Sequence, residues 1–423
     1  MSESIEQHVN QHSRPSDLRI TDMRIANLVG VPFRSTIIRI DTNQGISGYG
    51  EVRDGASPTY ALTLKSRIMG ENPCNVDKIF RKLKQFGFHA RQGGGVCGIE
   101  MALMDLAGKA YGVPAYQLAG GKFRDKVLCY CDTPSVPDGR EMGQRLKARM
   151  DRGFKFLKMD VGIDLLNGIP GTLSAPPDML GTRHIMHQFT GIQITDKGIA
   201  HLCDYVAAVR EVVGYEIPLA VDHFGHIGLE SCIRLGQALD KYSLAWYEDM
   251  IPWQFADQWR RLSEAVTTPT CTGEDIYLKE PFMPLLEQRA VAVIHPDLAT
   301  SGGILETKKI GDLAQEHGVA MAMHMAASPI CALANVHCAA ATENFLVLEN
   351  HSVDDPGWNE LVTGLPNPLI QDGFIAVPEK PGLGFDDINE EAMRARLDPK
   401  DPIFFDQPTD YWDREYANDR LWS

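Results

Sequence analysis

Six ionisable residues in the second half of the chain keep a beat: Asp222, Glu248, Glu274, Asp297, His324 and Glu349 follow one another at intervals of 23 to 27 residues. Each closes a short run of apolar or small residues, as in "PLAVD", "AWYE" and "VAMAMH". A random scatter of acids would not keep this spacing, and carboxylates seldom occupy buried positions without partners. Asp222, Glu248 and Glu274, if gathered, would repel one another and raise one another's pKa. They could be ordinary salt-bridge partners of strand-end Lys or Arg. A divalent cation relieves the repulsion better, and an all-oxygen donor set suits Mg²⁺, with Mn²⁺ as the substitute. Asp297 and His324 come next, a carboxylate beside an imidazole, which fixes the ring tautomer and supports a general base.

A ring of that kind needs strands that end at one rim. From about residue 127 the chain supplies eight short runs, "VLCYCD", "FKFLKMDV", "PLAVDHF", "AWYEDMI", "TPTCTGED", "VAVIHPDLA", "VAMAMHMA" and "NFLVLEN", each followed by an amphipathic helical stretch. Eight strands alternating with helices predict an α/β protein of (β/α)8 type, whose active site lies at the C-terminal ends of the strands. In the second run, "GFKFLKMDVG", residues two apart share a face, so Lys158 and Asp160 lie together while Leu157 and Met159 point the other way. Alone, this reads as an edge strand with a solvated face. As a barrel strand, it delivers an ammonium and a carboxylate to the rim.

Upstream, residues 18–53 alternate as an antiparallel meander with a turn at Asn43, Gln44 and Gly45. "VDKIFRKLKQFGF" and "GIEMALMDLAGKAYG" carry helical spacing, the second stopped by Gly112 and Pro114. The expected organisation is a disordered tail over 1–17, an α+β capping domain over 18–126, the barrel over 127–355 and a segment over 356–423 that returns to the cap. The 423 residues, 44% of them hydrophobic, suffice for a large core and two domains in a soluble protein. A formal charge of −15 argues against nucleic acid or anionic membrane as partner. No apolar run reaches the roughly 18 residues of a membrane span, and the polar first residues lack the apolar stretch of a signal peptide. Nine scattered cysteines without CxxC spacing indicate reduced thiols in a cytoplasm. Cys129 and Cys131 read as small core residues on one strand face.

The pieces together resemble the enolase superfamily, mandelate racemase branch, over nearly the whole chain. "GISGYGE" (45–51) resembles a loop of that family's cap, "GIEMALMDLAGKAYGVPAYQLAGG" (98–121) its entry into the barrel, and "PGLGF" (381–385) its return to the cap. The resemblance implies a modified TIM barrel with a cap formed by the N-terminal region and the C-terminal tail. It implies Asp222, Glu248 and Glu274 as Mg²⁺ ligands, Asp297 with His324 as a dyad, and Glu349 as the acid that hydrogen-bonds a developing enolate. Where the family carries Lys-x-Lys on the second strand, this chain has Lys158 and Asp160. A carboxylate there is a weaker base, so His324 is the expected proton abstractor. Where the family usually has Asp-x-Asn on the third strand, Phe224 follows Asp222 at that spacing, flanked by His223 and His226. Dehydratases of this branch often place a general-acid histidine there, which makes His226, then His223, the candidates.

The chemistry implied is abstraction of the proton α to a carboxylate, with Lys158 and Glu349 helping to hold the enediolate, then loss of the β-hydroxyl to give a 2-keto-3-deoxy sugar acid. Return of the proton would instead make an epimerase. Substrates would be aldonic or aldaric acids, and the resemblance implies a homo-oligomer, dimer or octamer. Between Lys158 and Asp222 the chain carries a Gly- and Pro-rich surplus over 163–195, expected as a lid over the barrel mouth that offers Arg183, His184 or His187 to substrate or to a neighbouring subunit. Arg34 or Arg53 of the cap loops could bind the distal end of the substrate. Two rivals stand against this reading. A metal-dependent hydrolase would want an HxH pair on the first barrel strand, and "VLCYCDTP" has none; a barrel that only senses a metabolite would not need the full set of ligands and dyad.

Overall fold

The chain folds first as an antiparallel meander of β1 (Ile20–Leu28), β2 (Ser35–Thr42) and β3 (Ser47–Val52), in the order β1-β2-β3, with Ile25 opposite Ile38 and Ile37 opposite Glu51. A computed structural model describes residues 13–88, 94–174, 191–222 and 227–414. Gly45 turns the β2–β3 hairpin at φ 74°, a conformation that favours glycine.

β3 lies backbone to backbone on a long buried helix, Gly94–Tyr111. The glycines of "GISGYGE" permit that approach: a Cβ on Gly50 would fall 1.9 Å from the Gly98 carbonyl oxygen, and one on Gly48 would fall 2.2 Å from that of Ala102. No side chain can yield there, because both obstacles are backbone. Gly50→Ala is therefore expected to lower stability by about 3 kcal/mol or more, the upper range for overpacking, seen as an earlier midpoint in urea unfolding with an unchanged slope. The same helix ends at Gly112, φ 72°, as expected from the sequence. Its Asp105 carboxylate accepts from the backbone N–H of Tyr49 and of Leu383, at 3.0 and 2.8 Å, and so ties "PGLGF" to the cap.

All eight apolar runs form strands. They are β4 (Lys126–Cys131), β5 (Leu157–Asp160), then, past the short hairpin of β6 (Leu173–Ser174) and β7 (Gln193–Ile194), β8 (Leu219–Asp222), β9 (Tyr247–Glu248), β10 (Thr270–Thr272), β11 (Val293–Ile294), β12 (Ala320–Met323) and β13 (Phe345–Asn350). They pair in parallel in the order β4-β13-β12-β11-β10-β9-β8-β5, with helices between them in sequence. β14 (Phe374–Ala376) runs antiparallel along the other edge of β4, against Lys126–Leu128. No ladder joins β4 to β5 among the described residues, so the parallel sheet is curled with a seam between its first and second strands. This is a modified TIM barrel rather than a fully laced ring.

One residue from each strand or its lead-in fills the interior: Tyr130, Phe156, Ala220, Trp246, Cys271, Val293, Ala322 and Val347 form a buried cluster of their own. Leu157 and Met159 belong instead to the larger cluster beneath the helices and cap. This division settles "GFKFLKMDVG": Phe156 and Lys158 face inward, and Lys158 is 2% exposed rather than solvated. The C-terminal segment runs back to β1, where Asn27 N–H donates to Ile403 O and Val29 N–H to Arg396 O. No helix of the described residues is long and apolar enough to cross a membrane.

Candidate active site

Strand ends deliver the charged groups. Asp222 and Glu248 terminate β8 and β9, Glu274 and Asp297 lie just past β10 and β11, His324 follows β12 directly, and Glu349 is in β13. A cavity of about 310 Å³ opens at this rim, lined by Lys158, Asp222, Glu274, His324 and Glu349 from the barrel and by Phe33, Arg53 and Asp54 from the cap.

Lys158 is the hub of one half. Its Nζ lies 2.8 Å from Asp222 Oδ2, 3.1 Å from Glu248 Oε1 and 3.0 Å from Glu349 Oε1. Burial opposes the ammonium, but the three carboxylates override it and hold the Lys158 pKa well above the ordinary lysine range. Glu248 is fully buried, and its orientation is fixed by Trp246 Nε1–H, which donates to Oε2 at 2.8 Å, and by His295 Nδ1, 2.7 Å from Oε1. Burial would raise its pKa; His295 and then Lys158 reverse the sign and bring it to about 2. His295 is itself set by the Tyr130 hydroxyl, 3.1 Å from Nε2.

His324 is the hub of the other half. Nδ1 lies 2.7 Å from Asp297 Oδ2, and Nε2 lies 3.2 Å from Glu274 Oε2 and 3.9 Å from Glu349 Oε2. Asp297 and His324 are joined by a parallel bridge between their strands, so the backbone itself sets the dyad. Arg53, 3% exposed, pairs with Asp297 and lies 3.0 Å from His324 Nδ1. Burial pushes the Asp297 carboxyl up, and Arg53 and His324 bring it below the usual carboxylate range. Arg53 also pairs with Asp54 at 3.0 Å. Its guanidinium thus braces the dyad while lining the cavity. Arg34 lies 2.7 Å from Asp398.

Asp222, Glu248 and Glu274 all reach this rim, and the structure divides them between the two hubs. Lys158 bridges the first two, and Glu274 turns to His324. Among the described residues, the ligand atoms that come within 4.8 Å of one another belong to Glu248, Cys271 and His295, and to His324, Glu349 and His351. Mutual repulsion keeps the three apart, and each faces a cationic or ionisable partner, Lys158 or His324. The site nevertheless has surplus negative charge. The Asp249 carboxyl is driven well above the ordinary range, first by burial and then by Glu274, Asp222 and Glu248. Asp249 also holds φ 47°, a strained conformation for a non-glycine residue of the kind that persists at functional sites. A cluster of carboxylate oxygens of this kind fits a hard divalent cation.

Asp160 ends β5 opposite Asp222, but its Oδ2 accepts from Ser135 Oγ at 3.3 Å and it does not line the cavity. His223, His226, Arg183, His184 and His187 lie outside the described residues. Three contributors were missed in the sequence: His295, Arg53 as a brace, and His351. Both histidines were within reach of the alternation rule, since His295 sits two before Asp297 and His351 two after Glu349.

Residues 141–392 match the sequence model described as enolase C-terminal domain-like, and residues 2–120 that of the mandelate racemase / muconate lactonizing enzyme N-terminal domain. The chain is 34% identical to a D-xylonate dehydratase of Haloferax volcanii, over 92% of this chain and 91% of the relative. It is 28% identical to a D-galactonate dehydratase of Pectobacterium atrosepticum, over 86% and 92%. Among solved structures it superposes on a mandelate racemase/muconate lactonizing enzyme-like protein from Rubrobacter xylanophilus with a TM-score of 0.80 at 30% identity, covering 92% of this chain and 100% of that one.

Proposed function

Because this chain belongs to the mandelate racemase branch of the enolase superfamily, we propose that it is an acid-sugar dehydratase, a hydro-lyase that converts an aldonic acid to its 2-keto-3-deoxy product. One observation carries the reading: an imidazole oriented by a carboxylate through Nδ1 presents its Nε2 to a cavity that also holds a buried ammonium and several carboxylates. That is the equipment for proton abstraction beside a carboxylate, where negative charge must be received as it develops. The dehydratase names of the relatives at 34% and 28% identity support dehydration over epimerisation, and D-xylonate and D-galactonate are the first substrates to try.

In this reading, Mg²⁺ would be held by Asp222, Glu248 and Glu274. When bound, it supplies Lewis-acid stabilisation of negative charge on the substrate carboxylate. The chain's own residues do the rest. Asp297 keeps the proton of His324 on Nδ1, so Nε2 takes the α-proton. Lys158 faces the developing charge on the substrate. Glu349, next to Lys158, hydrogen-bonds the enediol oxygen. Arg53 keeps Asp297 ionised and in place. The same proposal takes the enzyme to be a cytoplasmic homo-oligomer, a dimer or an octamer. Nine free cysteines, eight of them buried, support a reducing compartment.

The test is incubation with Mg²⁺ and a panel of aldonic and aldaric acids in D₂O, followed by assay for 2-keto acid and for deuterium at the α-carbon. Keto-acid formation from at least one five- or six-carbon acid is expected. Exchange without keto acid would turn the reading to an epimerase, and neither outcome with any acid would favour a metabolite-binding barrel.

A further inference from the structure

The elimination needs a proton for the departing hydroxyl, and among the described residues few cavity groups can give one. Arg53 is clamped by Asp297 and Asp54, and Lys158 by Asp222, Glu248 and Glu349. Glu274 faces His324 Nε2 and Glu349 faces the Lys158 ammonium, so both are placed as acceptors. His324 is engaged in taking the α-proton. We propose that His351, paired with Asp132, is the general acid that protonates the β-hydroxyl as it leaves. This rests on the dehydratase reading above.

The geometry is that of a second dyad. His351 lies just beyond β13, two residues past Glu349, and so turns to the same cavity. Its Nδ1 is 3.4 Å from Asp132 Oδ2, just past the end of β4, and its Nε2 is 3.4 Å from Glu349 Oε1. The ring centroid stands 5.7 Å from that of His324, and Phe33 of the cap lies 6.1 Å from it. An imidazole between two carboxylates carries a proton to give. Burial alone would strip it, and Glu349 and then Asp132 reverse that and raise the His351 pKa above the ordinary histidine value. His351 and Asp132 follow the paired strands β13 and β4, whereas His324 and Asp297 follow β12 and β11, so the two dyads reach the cavity from neighbouring sectors of the rim.

His324 Nε2 takes the α-proton, and the electron pair of the broken C–H bond becomes the Cα–Cβ double bond. The C–O bond at Cβ breaks with its pair on oxygen. His351 Nε2–H gives its proton to that oxygen, releasing water and leaving neutral imidazole. The enol then takes a proton at Cβ and becomes the 2-keto-3-deoxy acid.

The experiment compares wild type with His351→Asn and His351→Gln on the aldonate found by the screen and on its 3-deoxy-3-fluoro analogue, since fluoride leaves without a proton. Dehydration by the variants is expected to fall at least a hundredfold, with α-proton exchange in D₂O retained and fluoride release within a few-fold of wild type. Dichroism and thermal midpoints confirm that both variants fold. Dehydration by the variants at the wild-type rate overturns the proposal. So does equal loss of fluoride release, which would mark His351 as a positioning residue, or loss of dehydration with retained exchange in His226→Asn or His223→Asn alone. If wild type neither dehydrates nor exchanges, the dehydratase reading itself fails, a different outcome from any of these.

Discussion

His324→Asn is expected to reduce kcat by about 10⁴, the upper range for loss of a general base, and to abolish α-proton exchange with solvent as well. The second readout matters because exchange needs only proton abstraction and return, so it isolates the role of His324 from that of any group acting on the leaving hydroxyl. Asn keeps a polar side chain of similar length facing Glu274 and Asp297, and Arg53 still satisfies Asp297. The fold should therefore persist, with a thermal midpoint within a few degrees of wild type. Asp297→Asn should be a milder copy, because it loosens the tautomer without deleting the base. Retention of exchange in folded His324→Asn would show that another group removes the proton and would end the assignment.

Removal of divalent cation is the second large effect. Dialysis against a chelator should abolish turnover, and Mg²⁺ should restore it, with Mn²⁺ as a working substitute. A measurement independent of activity goes with it: at 100 times its dissociation constant, a bound ion stabilises the native state by about 2.7 kcal/mol. Mg²⁺ should therefore raise the thermal midpoint of wild type by several degrees. Asp222→Asn and Glu274→Gln should lose most of that rise, since each removes an anionic donor from a field that already drives Asp249 toward its neutral form. Glu248→Gln should lose it too and be less stable without metal, because it breaks the contacts to Lys158, His295 and Trp246 at once. A midpoint indifferent to Mg²⁺ in wild type would count against these ligands even if some activity survived.

The barrel was legible because each βα unit repeats the same local pattern: an apolar run, then a charged residue where the strand meets the rim. Asp222, Glu248, Glu274, Asp297, His324 and Glu349 could be found by that beat without knowing what they touch. Lys158 could be found because alternation puts it with Phe156 and apart from Leu157 and Met159. His295 and His351 obey the same alternation but fall outside the one-per-strand count, which hid them.

Sequence order alone thus determined which residues reach the rim, since strand period and βα spacing are properties of neighbouring residues. Tertiary structure decided which of them pair. Arg53 meets Asp297 across 244 positions, Lys158 draws Asp222, Glu248 and Glu349 onto one ammonium, and Asp160 turns to Ser135 instead of the cavity. Once groups of both signs leave water, each takes the nearest opposite charge, and nearness of that kind exists only after the chain has closed on itself.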